Sequence, residues 1–278
     1  MIRILVDSAS DYSMEEIKEC KFSFVPMTIF IGGKEYKGGV DLGAEQFYEV
    51  MKESGEFPKT SQPSPQDFLD IFQEVKAQGD EMIYILLSSK LSGTFQSAVL
   101  AKNMVDYENI YFVDSLSASH AIRILAEHAQ HLIQKGIPAK KIAVELESLK
   151  KRVRVLAMID TMEYLYRGGR VSKATAAIGE AAKIKPLVTL TEKGEVGIFS
   201  KVLGKNKAIA NLLKQLEAAG ADSAYPMYSL YTYGTDNCEV FEERLEKEGY
   251  RVTRRLQIGA AIGAHVGPGA FGLIYVER

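Results

Sequence analysis

Met82-Ile83-Tyr84-Ile85-Leu86-Leu87 is an unbroken apolar run, and Ser88-Ser89-Lys90-Leu91-Ser92-Gly93-Thr94 follows it as a polar loop. A run without polar alternation is apolar towards both faces, as a central parallel strand must be. The loop then opens a helix predicted to reach Val105. Upstream, Ile2 to Val6 repeats the pattern, ending in Asp7-Ser8-Ala9-Ser10-Asp11 before a helix with Ser13 and Glu16 at capping-box spacing. Downstream, Ile110 to Val113 ends in Asp114-Ser115 before a helix that stops near Gly136. Strand, polar loop and helix in repetition predict an open parallel sheet with helices on both faces. Ligands of such sheets bind beyond the carboxyl ends of the strands, where the Ser- and Asp-rich loops fall.

Between these units, Phe22 to Ile31 reads as one strand, and Gly32-Gly33 as a hairpin turn into Lys34-Glu35-Tyr36. Phe47, Val50 and Met51 give a helix one apolar face, and Gly55 ends it. Lys59 to Pro65 reads as a loop, with Ser64 as N-cap, Pro65 at the first helical position and Asp67 two residues on. The second half is a mixed pattern. Arg152 to Ile159 is strand-like, Leu187–Leu190 and Val196–Val202 form a hairpin, and helices near 205–218 and 237–248 alternate with strands near 228–231 and 251–256. The expected architecture is α/β in two domains. A parallel-sheet, Rossmann-like N-terminal domain spans 1–160, and a smaller mixed α/β domain spans 161–278.

The composition is that of a globular chain with a sizeable core: 278 residues, 46% hydrophobic and 25% charged. A net charge of -2 gives no general basis for nucleic-acid binding, which needs a basic face. Cys20 and Cys238 lie far apart without metal-ligand or disulfide spacing, which fits a reducing compartment. The apolar start at Ile2 is too short for a signal peptide or membrane span, so the expected location is the cytoplasm.

Several residues could carry chemistry. Ser92-Gly93-Thr94 opens a helix, where free N–H groups and hydroxyls favour an anion and Gly93 permits close approach. Taken alone, the tripeptide reads as an ordinary cap. Thr60 and Ser61 are free of the capping role that Ser64 fills, although a surface loop stiffened by Pro63 and Pro65 accounts for them equally. His265 follows a run of small residues and precedes the tight turn Gly267-Pro268-Gly269, which can aim a side chain into a cleft. Arg167-Gly168-Gly169-Arg170 could face a phosphate or an acidic partner, or be a solvated turn. His120, His128 and His131 fall on one helix with nothing to complete a metal set, so no metal site is expected. No Walker loop, G-x-G-x-x-G or G-x-S-x-G is present, so neither ATP nor NAD binding is expected.

In chain order, Asp7-Ser8-Ala9-Ser10-Asp11, Thr60-Ser61-Gln62-Pro63, Leu91-Ser92-Gly93-Thr94, Asp114-Ser115, Arg167-Gly168-Gly169-Arg170 and His265-Val266-Gly267-Pro268-Gly269 resemble the DegV family. Its members are similar to the fatty-acid-binding subunits of bacterial fatty acid kinase. The resemblance covers essentially the whole chain. It implies a long-chain fatty acid buried between the two domains, and no other cofactor. Thr60, Ser61, Ser92, Gly93 and Thr94 would hold the carboxylate, with His265 nearby and Arg170 at the cleft mouth towards the partner. It also implies that the chain is not itself an enzyme. A separate ATP-binding kinase subunit would phosphorylate the presented acid to an acyl phosphate for phospholipid synthesis.

Two other readings use the same residues. A serine hydrolase would take Ser92 as nucleophile, His265 as base and Asp7 or Asp114 as orienter. A sugar- or phosphate-binding module would use the same rim but needs a small polar cavity, whereas a fatty acid needs a long apolar one.

Overall fold

A computed structural model describes residues 1–177 and 184–278. The chain opens with β1 (Ile2–Asp7), a 3-10 turn at Ser8–Ser10, α1 (Met14–Cys20) and β2 (Ser23–Val25). Strands β3 (Thr28–Ile31) and β4 (Lys34–Lys37) follow, then α2 (Ala44–Ser54), β5 (Lys59–Ser61) and α3 (Pro65–Gln78). After them come β6 (Glu81–Leu86), α4 (Thr94–Val105), β7 (Ile110–Asp114), α5 (His120–Gln134) and α6 (Ala139–Leu149).

Strands β2, β1, β6 and β7 form a parallel sheet in that order, with β6 inside it as its apolar run requires. Alternation sends Met82, Tyr84 and Leu86 to one face, in a cluster with Phe68 and Phe72 of α3 and Ala98 and Ala101 of α4. It sends Ile83 and Ile85 to the other face, into a cluster with Ile122, Leu125 and Ala129 of α5. The predicted caps are present. Ser13 with Glu16 and Ser64 with Asp67 each make both bonds of a capping box.

Two local expectations fail. Phe22 to Ile31 is not one strand. Pro26 has no N–H to donate to the ladder, so β2 ends at Val25 in the parallel sheet. The chain then enters β3, in a separate antiparallel sheet ordered β4-β3-β5. Lys59 to Ser61 is not loop but strand β5, with Thr60 opposite Ile29 and Ser61 opposite Thr28. The paired residues lie 29 to 33 positions apart in sequence, so no local signal announced it.

The remainder comprises β8 (Val153–Met158), α7 (Glu163–Arg167), α8 (Lys173–Ala177), β9 (Ile184–Leu190), β10 (Val196–Leu203) and α9 (Lys205–Ala219). It closes with β11 (Tyr228–Tyr231), α10 (Asp236–Lys247), β12 (Arg254–Gln257), α11 (Ala260–Val266) and β13 (Phe271–Val276). These strands make a six-stranded mixed sheet, order β10-β9-β8-β13-β11-β12, in which only β11 and β12 pair in parallel. Strand β8 lies on the N-terminal side of the expected boundary at 160, yet it pairs with β9 and β13. By strand pairing the chain therefore changes sheets before residue 153, and the second sheet has more strands than the first.

Helices α9 and α10 cover one face of the six-stranded sheet, clustering with Leu156, Met158 and Leu273. On the other face, Tyr228, Leu230 and Ile274 join the same core cluster as Ile83, Ile85 and α5. The two sheets are thus joined by shared core. Helix α11 packs against α2, α7 and strands β3 and β5 of the small antiparallel sheet. Its buried Ala260, Ala261, Gly263 and Ala264 permit close packing, and Tyr48 of α2 donates to the Ile258 carbonyl just before it (2.9 Å). Among the described residues no helix is long and apolar enough to cross a membrane.

Candidate ligand cavity and its polar rim

Strand β8 presents Val155 and Ala157, and Ile159 just after it, to the space between the sheets. Val188 and Leu190 of β9, Leu230 of β11, and Ala261, Ile262 and Val266 of α11 complete the walls of an apolar cavity there. Apart from Ser119, Arg170, Thr189 and His265, every residue that lines the space is apolar. A second, polar cleft meets it, lined by Ser89, Lys90, Ser92, Gly93, Ser172 and Thr175 among others. The two spaces share Leu91, Arg170 and Val196. The apolar cavity is thus of the kind that a fatty acid needs, and the polar surface lies at its rim.

Helix α11 delivers His265 to the cavity wall, and β5 brings Thr60 against it from behind, lining neither space itself. Thr60 Oγ1 and His265 Nε2 lie 2.8 Å apart. His265 Nδ1 is buried with no partner among the described residues, and Gly168 packs so closely that a Cβ there would fall 2.1 Å from it. Burial, and then the Arg170 charge, pull the imidazole pKa down to about 4. The ring is neutral at pH 7, and with the proton on Nε2 it donates to Thr60, leaving the Thr60 hydroxyl hydrogen free for a ligand.

That burial carries a pH signature. The unfolded chain takes up a proton at the ordinary histidine value of 6.5, whereas the folded ring resists until about 4. Stability from this group is complete above pH 6.5 and is lost as pH falls towards 4, by on the order of 3 kcal/mol. Chemical denaturation of lipid-free wild type and His265→Gln across pH 4 to 7 isolates it, because other titrating groups are common to both. The advantage of the variant should grow on acidification; a pH-independent difference would mean that the ring is not held neutral.

Ser92 is buried, with Oγ 2.8 Å from Thr94 Oγ1, and it accepts the Thr94 N–H at 3.3 Å. It thus stands one residue before the N-cap Gly93, binds the first helical N–H and lines the cleft. Thr94 is fully buried behind it. The space above Gly93, expected for a ligand, is occupied by the side-chain amide of Gln62. Ser61 is not brought to the site by its side chain. Alternation along β5 turns it away from Thr60, and its exposed Oγ reaches only the Gln62 carbonyl (3.5 Å). Arg170 is half-buried, with Nε on the Leu91 carbonyl (2.9 Å) and Nη1 on the Gly168 carbonyl (2.5 Å).

The hydrolase reading is not assembled. His265 Nε2 engages Thr60 rather than Ser92, and among the described residues no carboxylate orients Nδ1. The two candidate aspartates support loops instead. Asp7 is fully buried and accepts from Leu87 N (3.0 Å), Ala9 N (2.9 Å) and Tyr84 (3.2 Å), with burial pushing its pKa up to about 6. Asp114 accepts from Ser89 N (3.2 Å) and Leu116 N (3.1 Å). His120, read as structural, is buried between Arg123 Nε (3.2 Å) and the Gln257 carbonyl (2.9 Å). Among the described residues no group of three or more His, Cys, Asp or Glu could hold a metal ion.

The tail-wall residues were not assigned from sequence. The alternation Val155, Ala157, Ile159 carried a signal of a strand face, but nothing local says that the face borders empty space.

A parallel α/β unit and a mixed sheet, with an apolar cavity and a polar rim between them, define a two-sheet α/β fold. Residues 1–278 match the family described as uncharacterised protein, DegV family. A DegV domain-containing protein of Caldanaerobacter subterraneus is 36% identical over 100% of this chain and 99% of the relative. The chain belongs to the DegV family. Among solved structures, a DegV family protein from Thermus thermophilus, described for its fatty acid binding, superposes with a TM-score of 0.88 at 30% identity. That match covers 100% of this chain and 99% of the other. DegV from Bacillus subtilis, described as a fatty acid binding protein, gives a TM-score of 0.85 at 31% identity, with coverage of 100% and 99%.

Proposed function

We propose that this protein binds one long-chain fatty acid with its tail in the apolar cavity, and presents the carboxylate at the polar rim to a separate ATP-dependent kinase. The observation that carries the reading is the junction itself. An apolar space runs into a polar cleft at Leu91 and Arg170, with His265 on one side and Ser92 on the other. Likeness to the Thermus and Bacillus fatty-acid-binding proteins supports the ligand class.

The chemistry follows from which groups face the head. Each buried methylene contributes roughly 0.8 kcal/mol, so the tail can supply most of the affinity. The head can then be held by neutral donors, the hydroxyls of Thr60 and Ser92. Neutral donors leave electron density on the carboxylate, which a bidentate guanidinium clamp would withdraw. A carboxylate oxygen attacks the γ-phosphorus of ATP, the bond to the β-phosphate oxygen breaks, and ADP leaves with that electron pair. The chain's part is to position the acid; the partner brings the nucleotide.

Native mass spectrometry of the purified protein, followed by denaturation and lipid analysis, tests the ligand. About one fatty acid per chain is expected. The stripped protein should melt lower, since saturating ligand at 100 times its Kd adds about 2.7 kcal/mol. A preparation without lipid that no long-chain acid stabilises would overturn the reading.

A further inference from the structure

Of the stretch Thr60-Ser61-Gln62, strand alternation puts the first and third side chains on one side. Thr60 turns to His265, and Gln62 turns to α4. Gln62 Nε2 donates to Ser97 Oγ at 3.0 Å, and Ser97 is a buried residue one turn into α4, just after the Ser92 loop. The same amide lies against Gly93. A Cβ on Gly93 would sit 2.0 Å from Gln62 Oε1, 2.8 Å from Cδ and 2.9 Å from Nε2. Gly93 has φ -73° and ψ 6°, a conformation open to any residue, so its backbone angles do not call for glycine. What calls for glycine is the room that the Gln62 amide takes.

We propose that Gln62 is a positioning residue, clasped between Gly93 and Ser97, that sets the spacing between the two hydroxyls holding the fatty-acid carboxylate. The need for such a clasp is plain from the strand that carries Thr60. Strand β5 has three residues and, among the described residues, pairs only with β3. Nothing in that ladder ties it to the loop of Ser92. The Gln62 amide makes that tie, and Gly93 is the socket that admits it. The inference rests on Thr60 and Ser92 being the head-group ligands.

The test uses [1-13C]palmitate bound to the full chain, with the carboxyl resonance followed through a pH titration. Thr60→Ala serves as the reference that removes a proposed ligand directly. Gln62→Ala should retain one palmitate and the wild-type melting temperature, but move the carboxyl resonance and raise its apparent pKa by about one unit, as expected when a donor to a charged acceptor is misplaced. Gly93→Ala should expel the flexible amide and give the same displaced resonance. The double variant should show no further change, because both substitutions undo one clasp. If Thr60→Ala moves the resonance and Gln62→Ala does not, Gln62 does not position the head-group loops. Additive effects in the double variant would overturn the clasp equally. If neither Thr60→Ala nor Gln62→Ala moves it, the assignment of the carboxylate to this rim is wrong, and the clasp falls with it.

Discussion

Ala157→Phe is expected to empty this protein of fatty acid while leaving it folded. Ala157 lines the cavity from the middle of β8, paired with Val188 on one side and Gly272 on the other. Its methyl is the smallest side chain among Val155, Ala157 and Ile159, which face the space from β8 and the residue after it, so this is where an added ring has room to enter. A phenyl group there would take the place of several methylenes of the tail. At roughly 0.8 kcal/mol each, four displaced methylenes cost about 3 kcal/mol, more than a hundredfold in affinity. Filling a void with apolar surface is not expected to unfold the chain, since the ring packs where no side chain stands. Lipid content by mass spectrometry and the melting temperature are read on the same preparation. A folded Ala157→Phe protein that still carries one full-length acid would show that the tail lies elsewhere.

Arg170→Ala is expected to keep its lipid and lose presentation. Arg170 borders both the apolar cavity and the polar cleft, and both of its hydrogen bonds among the described residues go to backbone carbonyls. Burial lowers its pKa, but a guanidinium stays charged. It therefore brings positive charge to the side of the rim from which a nucleotide must approach. Negative charge gathers on the transferring phosphoryl group, and loss of one charged donor at such a place lowers turnover by about 100-fold. Binding of the tail is not involved. In an assay coupled to the kinase, acyl-phosphate output should fall by that factor at unchanged lipid content. Arg170→Lys should recover only part, because a point charge cannot hold both the Leu91 and Gly168 carbonyls as a planar fork does. An emptied pocket in Arg170→Ala would make it a head-group ligand. Normal output would make it a turn residue with no part in presentation.

The clasp at Gln62 and the cavity wall at Ala157 act on opposite ends of the same ligand, so their variants separate the two halves of the proposal. Ala157→Phe acts on the tail without touching the rim. Gln62→Ala acts on the rim without touching the tail. His265 stands between them, held neutral by burial and bonded to the hydroxyl that Gln62 helps to place.

The sequence by itself determined what short-range physics controls. The unbroken apolar run at 82–87 became an inner parallel strand, because burial on both faces needs apolar residues at every position. The capping boxes at Ser13 and Ser64 formed, because a hydroxyl three residues before a carboxylate satisfies helix N–H groups whatever surrounds them. Gly32 and Gly33 took positive φ in the predicted hairpin, a geometry that costs glycine nothing. The order of the loop motifs also sufficed to place the chain in its family. Tertiary structure alone decided the rest. Which strand β5 would join, that Ser61 would turn outward while Thr60 met a histidine 205 residues away, and that Gln62 would fill the space above Gly93 all depend on pairings between distant segments. Strand β8 looked alike for either sheet, and only its partners β9 and β13 assigned it to the second. The cavity is the extreme case. An apolar residue facing a void and one facing a neighbour have the same side chain, so the space at Ala157 and Ile159 exists only once two sheets and α11 have closed around it.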